Sequence, residues 1–371
     1  MSEWQETTLG DVITLQRGHD LAKTEMQFGS IPVAGSNGVI GYHNKSTTKA
    51  LGITIGRSGN IGNPHLYKED FWAHNTTLYV KDFKGNDEIF VYYLLKSIDF
   101  AGFNVGSAVP TLNRNHIHPM VILKPLPEEQ KTIASVLSSL DDKIDLLHRQ
   151  NTTLEHMAET LFRQWFIEEA QEDWVEVKLG DFVEVNKKSI SKYYPFNQIE
   201  YLDTGSLTEG KVDSLQPYMI NEAPSRALRL VEHNDVLIST VRPNQKHYGI
   251  INNPIENLVV SSGFCVLTCT KIAPHFVYLL LTNNEMTEYL HSIAEGSTST
   301  YPSLKPSDIA AITFQMPPNE RLADFAKIAN DSWEKVHQNY KQIQTLEKLR
   351  DNLLPKLMGG EVRVGIEGAS E

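Results

Sequence analysis

The stretch "PLPEEQKTIASVLSSLDDKIDLLHRQNTTLEHMAETLFRQWF", residues 125–166, reads as one long amphipathic helix in the middle of the chain. Its apolar side chains recur at alternating steps of four and three residues, which is the spacing of a coiled-coil seam. The predicted seam contains Ile133, Leu137, Leu140, Ile144, Leu147, Leu154 and Leu161, with Asn151, Ala158 and Trp165 in the same phase. At about 1.5 Å per residue the helix would be about 60 Å long, which is more than a domain core needs.

A second helix of this kind is predicted near the end of the chain, in "NERLADFAKIANDSWEKVHQNYKQIQTLEKLRDNLLPKLMGGEV", residues 319–362. Its seam is predicted at Leu322, Ala326, Ala329, Trp333, Val336, Tyr340 and Ile343. After this seam the apolar positions change phase, which predicts a local stutter. The shifted positions are Leu346, Leu349 and Leu353. Pro355 is expected to kink or end the helix, and Gly359 and Gly360 to stop it.

Each long helix follows a globular segment, and the two segments resemble each other. "WQETTLGD" at residues 4–11 returns as "WVEVKLGD" at residues 174–181. "IFVYYLLKS" at residues 89–97 parallels "HFVYLLLTN" at residues 275–283. The period is about 170 to 190 residues, which indicates a duplication rather than a solenoid of shorter repeats.

The fold class predicted from these patterns is α+β, because each globular segment mixes short β-type runs with a single helix. The predicted boundaries are a globular domain at 1–124, a helix at 125–170, a second globular domain at 171–316 and a second helix with its tail at 317–371. Two long apolar seams need a partner, and each helix can serve the other. We expect an antiparallel intramolecular coiled coil that keeps the two duplicated domains apart, because a whole domain must fit between the two helices.

Composition places the chain among folded proteins of two or more domains, since 371 residues with 40% hydrophobic content exceed one compact core. No apolar run reaches the roughly 18 residues of a membrane span, so no membrane partner is expected. The opening "MSEWQETTLGD" lacks the basic and apolar regions of a secretory signal. Cys265 and Cys269 are interpreted as packed free thiols, so a cytoplasmic location is expected.

The formal net charge of −12 disfavours a nucleic-acid partner at face value, but the charge is unevenly distributed. Residues 1–124 carry 11 basic and 11 acidic side chains, whereas residues 125–172 carry 4 and 10. Half of the negative charge therefore lies in and just beyond the first long helix. The global charge does not exclude DNA binding.

Sequence motifs of enzymes that bind nucleotides or cofactors are missing. There is no G-x-x-x-x-G-K-[ST] loop and no N/D-P-P-Y/F tetrapeptide of adenine methyltransferases. "GSNGVIG" (35–41) and "GRSGNIG" (56–62) lack the dinucleotide-binding spacing and are interpreted as turns. His116 and His118 have no second ligand pair close in sequence, so no metal site is predicted. Residues 141–143 on the first long helix are interpreted as a solvated face.

Basic, amide and aromatic residues on the loops of both domains are the remaining candidates for function. Arginine recognises guanine and asparagine or glutamine recognises adenine, so these residue types suit base-edge contacts. Arg57 and Arg242 occupy roughly equivalent places, each after a β-type run. The candidate DNA contacts are Arg17, His19, Asn37, Lys45, Arg57, Asn60 and Arg114 in the first domain, and Lys187, Lys188, Tyr201, Arg226, Arg242, Asn244, Gln245, Lys246, Tyr301 and Lys305 in the second. The alternative is that they are ordinary loop residues.

The layout resembles the specificity (S) subunit of type I restriction-modification enzymes. The resemblance rests on the stretch at 125–166, on "LEKLRDNLLPKLMGGEV" at 346–362 and on the paired "W…LGD" starts, and it covers nearly the whole chain. It implies two target recognition domains, each of which reads one half of a bipartite double-stranded DNA site, and a coiled coil that sets the spacer.

The resemblance also implies that this chain is non-catalytic and holds no cofactor. Two modification subunits would dock on it and supply S-adenosylmethionine for adenine methylation, and restriction subunits would bring ATP and Mg for translocation and cleavage. Loop residues vary within such a family, so the resemblance assigns no base contact. A freestanding enzyme and a purely structural coiled-coil scaffold are the alternatives, which the missing cofactor motifs and the duplicated loop-rich domains respectively disfavour.

Overall fold

The computed structural model describes residues 4–103, 111–296 and 302–364, and the chain divides into two compact units. The first unit is Met1–Leu147 with Lys341–Glu371, and the second unit is His148–Tyr340. Each unit therefore contains a globular part and a portion of both long helices. The domain boundaries predicted from the sequence follow chain order instead, and they stay a prediction.

The first unit is built from short strands and helices around the start of one long helix. Its strands are β1 (Gln5–Thr8), β2 (Thr14–Arg17), β3 (Ile31–Gly35), β4 (Gly38–His43), β5 (Gly52–Gly56), β6 (Pro64–Tyr67), β7 (Trp72–Ala73), β8 (Thr77–Asp82) and β9 (Val121–Lys124). Its helices are α1 (Leu9–Val12), α2 (Glu88–Ser97), α3 (Arg114–Ile117) and α4 (Pro127–Arg163), of which α4 continues into the second unit.

The second unit has a longer set of strands. They are β10 (Val175–Lys178), β11 (Val183–Val185), β12 (Lys188–Ser189), β13 (Gln198–Leu202), β14 (Leu207–Thr208), β15 (Lys211–Val212), β16 (Gln216–Met219), β17 (Ala227–Leu230), β18 (Val236–Ser239), β19 (Tyr248–Ile250), β20 (Leu258–Ser261), β21 (Phe264–Cys269) and β22 (Thr313–Met316). Its helices are α5 (Pro274–Thr282), α6 (Asn284–Glu295), α7 (Pro306–Ala310) and α8 (Asn319–Met358), of which α8 continues into the first unit.

Both units contain the same antiparallel sheet, which we call the common sheet. Its order is β2-β8-β5-β6 in the first unit and β11-β21-β18-β19 in the second. The parallel pair β3–β7 also recurs as β13–β20, and the antiparallel pair β1–β9 recurs as β10–β22. The predicted α+β class and the duplication of the globular domain are therefore confirmed. The second unit adds β12 and β17 to one edge of its second sheet.

One amphipathic helix covers the common sheet of each unit. In the first unit α2 begins where the Asp87 carboxylate accepts the Phe90 N–H at 2.9 Å, which caps the helix. Phe90 and Val91 then join Ile53 and Ile55 of β5 in one buried core. The second unit repeats this packing with α5 and β18. Burial of these apolar side chains is the main term that stabilises each domain.

The long helices run antiparallel in the first unit. Arg350 of α8 forms a salt bridge with Asp141 of α4 at 2.7 Å, and Arg363, just beyond α8, bonds to Glu129 at 2.6 Å. The Tyr93 hydroxyl of α2 donates to the same Asp141 carboxylate at 2.6 Å. Burial and this hydrogen bond raise the pKa of the Tyr93 hydroxyl. The interpretation of residues 141–143 as a solvated face is thus wrong for Asp141, which joins three elements.

The predicted stutter in α8 is wrong at Leu349, whereas Leu346 and Leu353 are half-buried. Leu349 is 45% exposed, whereas the side chain of Arg350 is only 16% exposed. The four-three spacing continues from Ile343 through Glu347 and Arg350 to the buried Leu354, with charged residues at two seam positions. The spacing of apolar residues does not predict this position, because it is occupied by Arg350, which forms a salt bridge with Asp141. Pro355 lies inside α8, which runs to Met358.

The long helices also run antiparallel in the second unit. The Asn339 side-chain amide donates to the Asn151 side-chain oxygen at 2.8 Å, and Arg321 donates to the Trp165 carbonyl at 3.1 Å. Both asparagines are buried, and Asn151 occupies the seam position predicted for it. A buried amide pair in an apolar seam favours one register at a cost in stability.

Most predicted seam residues are buried, and the others are half-buried. The buried ones are Ile133, Leu137, Ile144, Leu147, Trp333, Val336 and Ile343; the half-buried ones are Leu140, Leu154, Leu161, Leu322 and Tyr340. Near the end of α4 the buried face moves by one residue, to Phe162 and then to Phe166 in a π-helical turn at Gln164–Glu168. These rings pack against Phe276 and Phe325, so the end of α4 faces the globular part as well as α8.

The cysteines are unpaired, and the described helices are unlike membrane spans. Cys265 and Cys269 are free thiols, and burial raises the pKa of each to about 12. Across the described ranges, none of the helices combines the length and apolar character that crossing a bilayer requires.

The buried amide pair leads to a first prediction. Replacing either Asn151 or Asn339 by Leu leaves the other amide buried without its partner, so each single variant should lose about 1–3 kcal/mol of unfolding free energy. The double variant N151L/N339L removes both polar groups and should be within about 1 kcal/mol of the wild type, or more stable. Urea unfolding of the four proteins measures the coupling free energy. Additive losses would show that the two amides do not depend on each other.

Candidate nucleic-acid interface

A rigid turn follows β5 at the end of the common sheet in the first unit. The Arg57 N–H donates to the Thr76 carbonyl, and the Leu112 N–H donates to the Arg57 carbonyl, both at 2.8 Å. The Ser36 hydroxyl bonds to the carbonyls of Ser58 and Thr76, both at 2.8 Å. The turn is therefore fixed by three separate segments of chain, which gives the Arg57 side chain a defined origin.

Arg57 belongs to a polar cluster that we call the Arg57 cluster, which consists of Arg17, Asp20, Arg57 and Asn75. The Arg57 guanidinium donates to the Asn75 carbonyl at 3.4 Å, and the Asn75 side-chain amide bonds to the Asp20 carboxylate. Arg17 forms a salt bridge with Asp20 at 3.0 Å. The hydrogen bond from Asn75, followed by the charge of Arg17, lowers the pKa of the Asp20 carboxyl. The cluster thus orients two arginines that stay partly exposed.

Aromatic rings extend this surface. The His19 ring lies 6.1 Å from the Trp72 ring, which lies 5.3 Å from the His43 ring. The Trp72 indole N–H donates to the His19 carbonyl at 3.4 Å. Arginine, amide and aromatic groups in one continuous set have the composition of a nucleic-acid-binding surface.

The other first-domain candidates are spread more widely. Asn37, Lys45 and Asn60 are exposed. Asn37 lies in the β3–β4 turn next to Ser36, and Lys45 follows β4. The Arg114 guanidinium donates to the Leu15 carbonyl of β2 at 3.2 Å, so part of its hydrogen-bonding capacity serves the fold.

In the equivalent turn of the second unit, Thr240 and not Arg242 occupies the position that corresponds to Arg57. The Thr240 N–H donates to the Gly263 carbonyl at 2.8 Å, and the Leu304 N–H donates to the Thr240 carbonyl at 2.7 Å. These two bonds repeat the pattern at Arg57. The expected equivalence of Arg57 and Arg242 is thus wrong by two residues, because β18 pairs with β21 in a register that sequence similarity does not reveal.

Arg242 begins a tight, exposed turn of its own. Its backbone has φ of 49° and is followed by a 3-10 turn at Pro243–Gln245, and its N–H donates to the Pro302 carbonyl at 3.1 Å. Asn244 and Gln245 are exposed in this turn. Lys246 forms a salt bridge with Glu209 at 2.9 Å, so its charge is already balanced. The turn therefore presents one arginine and two amides.

Some second-domain candidates are held by the protein itself. Tyr201 is only 4% exposed in the core around β13, which contradicts its prediction as a DNA contact, because it lies in a strand and not on a loop. Lys187 and Lys188 both lie against Glu232, and a hydrogen bond from Lys188 lowers the pKa of that carboxyl. The remaining candidates are Arg226 and Lys305, which are exposed, and Tyr301, which lies outside the described residues.

No grouping of three or more His, Cys, Asp or Glu side chains suited to a metal ion occurs in the part of the chain that the structure describes. His118 instead accepts the Leu15 N–H at 3.2 Å, and burial lowers the pKa of its imidazole. The candidate residues of both units are groups that can form hydrogen bonds, and those of the first unit lie beside aromatic rings.

Comparison with known proteins gives the family. The family model described as the type I restriction modification DNA specificity domain matches residues 1–156 and 171–349. The chain belongs to this family. The type I restriction enzyme MjaIX specificity subunit of Methanocaldococcus jannaschii is 28% identical over 302 residues, which are 74% of this chain and 69% of that protein. The HindI specificity subunit of Haemophilus influenzae is 28% identical over 186 residues, 49% of this chain and 40% of that protein.

The fold of this specificity subunit agrees with a solved relative. The crystal structure of a type I restriction-modification system S subunit from M. genitalium superimposes with a TM-score of 0.67 over 96% of each chain, at 17% identity. The resemblance inferred from the sequence is confirmed, and the likeness to the solved structure concerns the fold.

Sequence reasoning missed part of the surface around Arg57. Asp20, Asn75, Trp72 and His43 belong to the surface that Arg57 and His19 share. A signal existed in "WAHN", residues 72–75, which precedes a strand and combines aromatic and amide side chains. Residues 72–75 lie outside the glycine-rich loops, which are the places where contacts are predicted. Asp20 carries the charge opposite to the one expected at DNA.

The Arg57 turn leads to a second prediction. A Cβ at Gly56 would lie 1.9 Å from the Asn60 carbonyl oxygen, whereas a Cβ at Gly59 would meet nothing within 4 Å. Gly56→Ala should therefore displace the turn and lower the hydrogen-exchange protection of the Arg57 and Leu112 amides at least about tenfold, or about 1.4 kcal/mol. Gly59→Ala is the matched control, because Gly59 has φ of 83° and carries backbone strain alone. Equal protection in both variants would show that the close approach does not fix the turn.

Proposed function

We propose that this specificity subunit reads a split DNA site, with the first unit reading one half and the second unit reading the other. The observation that carries the proposal is the common sheet, which occurs in both units and ends in each at a turn fixed by the same two backbone hydrogen bonds. Different side chains follow the two turns, so duplicated scaffolds with different contact residues should recognise different bases. The proposed site is therefore asymmetric.

In the first unit, the proposed base contacts come from the partly exposed arginines of the Arg57 cluster and from His19. An arginine that donates two hydrogen bonds to guanine is worth about 1–3 kcal/mol of discrimination. In the second unit, Arg242, Asn244 and Gln245 offer one guanine-type and two adenine-type contacts. Lys45, exposed after β4, is suited to phosphate, which positions the duplex without reading it.

We propose that the chain is itself non-catalytic and acts within a complex. Relatives named as specificity subunits of type I restriction enzymes support this assignment. Two modification subunits would supply S-adenosylmethionine and methylate adenine, and restriction subunits would supply ATP and Mg for translocation and cleavage. The acidic character of residues 125–172 suits a face toward protein partners rather than toward phosphate.

The long helices are proposed to set the spacer between the two half-sites. Both are rigid elements, and each contributes to the buried core of both units. A helix rises about 1.5 Å per residue while duplex DNA rises about 3.4 Å per base pair, so helix length translates directly into a number of base pairs.

Methylome sequencing tests the proposed function. Co-expression with the cognate modification subunit in a host without other adenine methylation should give methylation at one split motif with a fixed spacer. Arg57→Ala should relax or weaken recognition in one half of that motif and Arg242→Ala in the other, each by about 1–3 kcal/mol, or about 5- to 150-fold in relative methylation rate. Each variant serves as the control for the other.

Two results would contradict the proposal. Methylation at a contiguous motif, or none with the partner present, would exclude a split site read by two units. Relaxation of the same half-site by both variants would exclude the assignment of one half to each unit.

A further inference from the structure

Two aromatic side chains stand out by their exposure. Phe28 is fully exposed and Tyr193 is 80% exposed, more than any other large apolar side chain in the described parts of the chain. A single exposed apolar residue is normal on a protein surface and needs no explanation. These two, however, lie in corresponding places of the duplicated units.

Both residues lie in the same connection of the duplicated fold. Phe28 lies between β2 and β3, and Tyr193 lies between β11 and β13. β2 and β11 are equivalent edge strands of the common sheet, and β3 and β13 are equivalent members of the parallel pairs. The two connections differ in sequence and in length, and yet each carries an outward-facing aromatic ring.

Neighbouring residues hold the Phe28 backbone. The Gln27 N–H donates to Nδ1 of His43 at 3.0 Å, and the Asn44 side-chain amide donates to the Gln27 side-chain oxygen at 2.9 Å. On the other side Gly29 is packed so closely that a Cβ would lie 2.4 Å from the His43 carbonyl oxygen. Phe28 is therefore presented by a backbone fixed on both sides.

Tyr193 is held in a comparable way. Its N–H donates to the Ser191 hydroxyl at 3.2 Å, and the Tyr194 N–H donates to the Ser191 carbonyl at 3.0 Å. The Tyr194 ring packs inward beside Phe196 and the core around β13. The chain thus partly buries Tyr194 and presents Tyr193 to solvent.

Groups suited to DNA lie beside both connections. His43, which anchors Gln27, also contacts Trp72, so the residue before Phe28 is tied to the aromatic extension of the Arg57 cluster. The Lys192 ammonium lies 4.8 Å from the centre of the Tyr193 ring. An aromatic face beside a cation is the combination that binds a base together with its phosphate.

We propose that Phe28 and Tyr193 are stacking wedges, one for each half-site, which insert at a base step of duplex DNA and unstack it. The inference rests on the proposed function and adds how the duplex is deformed. Apolar side chains that enter a base step kink the duplex and expose its bases. Unstacking one step lowers the cost of taking the adjacent base out of the helix, which methylation of a base requires.

The test uses the assembled complex with its modification subunits and duplexes that carry 2-aminopurine at successive positions of the split site. The wild type should raise 2-aminopurine fluorescence at one step in each half. Phe28→Ala should abolish the rise in the half read by the first unit alone, and Tyr193→Ala in the other half alone. Each should weaken binding about tenfold, or about 1.4 kcal/mol. Phe28→Trp and Tyr193→Phe should keep both signals.

Matched controls are Val121→Ala on β9 and Val175→Ala on β10, which remove exposed apolar side chains from the two equivalent small sheets. They should leave binding and fluorescence unchanged. Alanine variants that match the wild type in affinity and fluorescence would overturn the wedge while leaving the split-site function intact. Loss of the modification subunit from the variants in sedimentation, with no change in DNA fluorescence, would overturn it in favour of a protein contact. A wild-type complex that selects no split site overturns both proposals.

Discussion

Packing of α4 against α8 is the constraint on which both units depend, because each unit builds its core partly from these helices. In the first unit Leu137 and Leu357 belong to the same buried core as the common sheet, and in the second Phe162 and Phe325 do. Two polar contacts select the register: Asp141 with Arg350, and Asn151 with Asn339. Apolar seams alone tolerate slippage by a heptad, whereas a half-buried charge or a buried amide without its partner is costly. The helix pair thus contributes to the core of each unit, and its polar contacts select one register.

The candidate recognition surface depends on this scaffold because the common sheet positions the turns from which its side chains extend. The common sheet fixes where β5 and β18 end, and two backbone hydrogen bonds fix the turn that follows each. Beyond that point Asn60 and Asn244 are exposed, whereas Ile61 and Pro243 pack inward. The exposed positions can therefore change at less cost in stability than the packed ones. The two turns carry Arg57 in one unit and Thr240 followed by Arg242 in the other.

Sequence patterns predicted the long-range organisation well and the site poorly, for physical reasons. The heptad spacing and the repeated "W…LGD" starts depend on periodicity and similarity, which a single sequence displays. The predicted seam is wrong at Arg350, because this charged residue, which forms a salt bridge with Asp141, lies where the spacing predicts an apolar residue. The predicted placements of two candidate residues are wrong where strand register decides the outcome: Tyr201 is in the core, and Arg242 is displaced by two residues from the place of Arg57. Trp72 and Asn75 join His19 and Arg57 only through tertiary contacts.

The proposed function makes the helix pair the element that sets the spacer between the two half-sites. Insertion of one heptad into α4 between Leu147 and His148, and of one into α8 between Tyr340 and Lys341, keeps the four-three phase and adds about 10.5 Å to each helix. Both insertions lie where the compact units divide. Methylome sequencing should then find the same two half-sites with a spacer longer by about three base pairs. The same half-sites at an unchanged spacer would contradict the account.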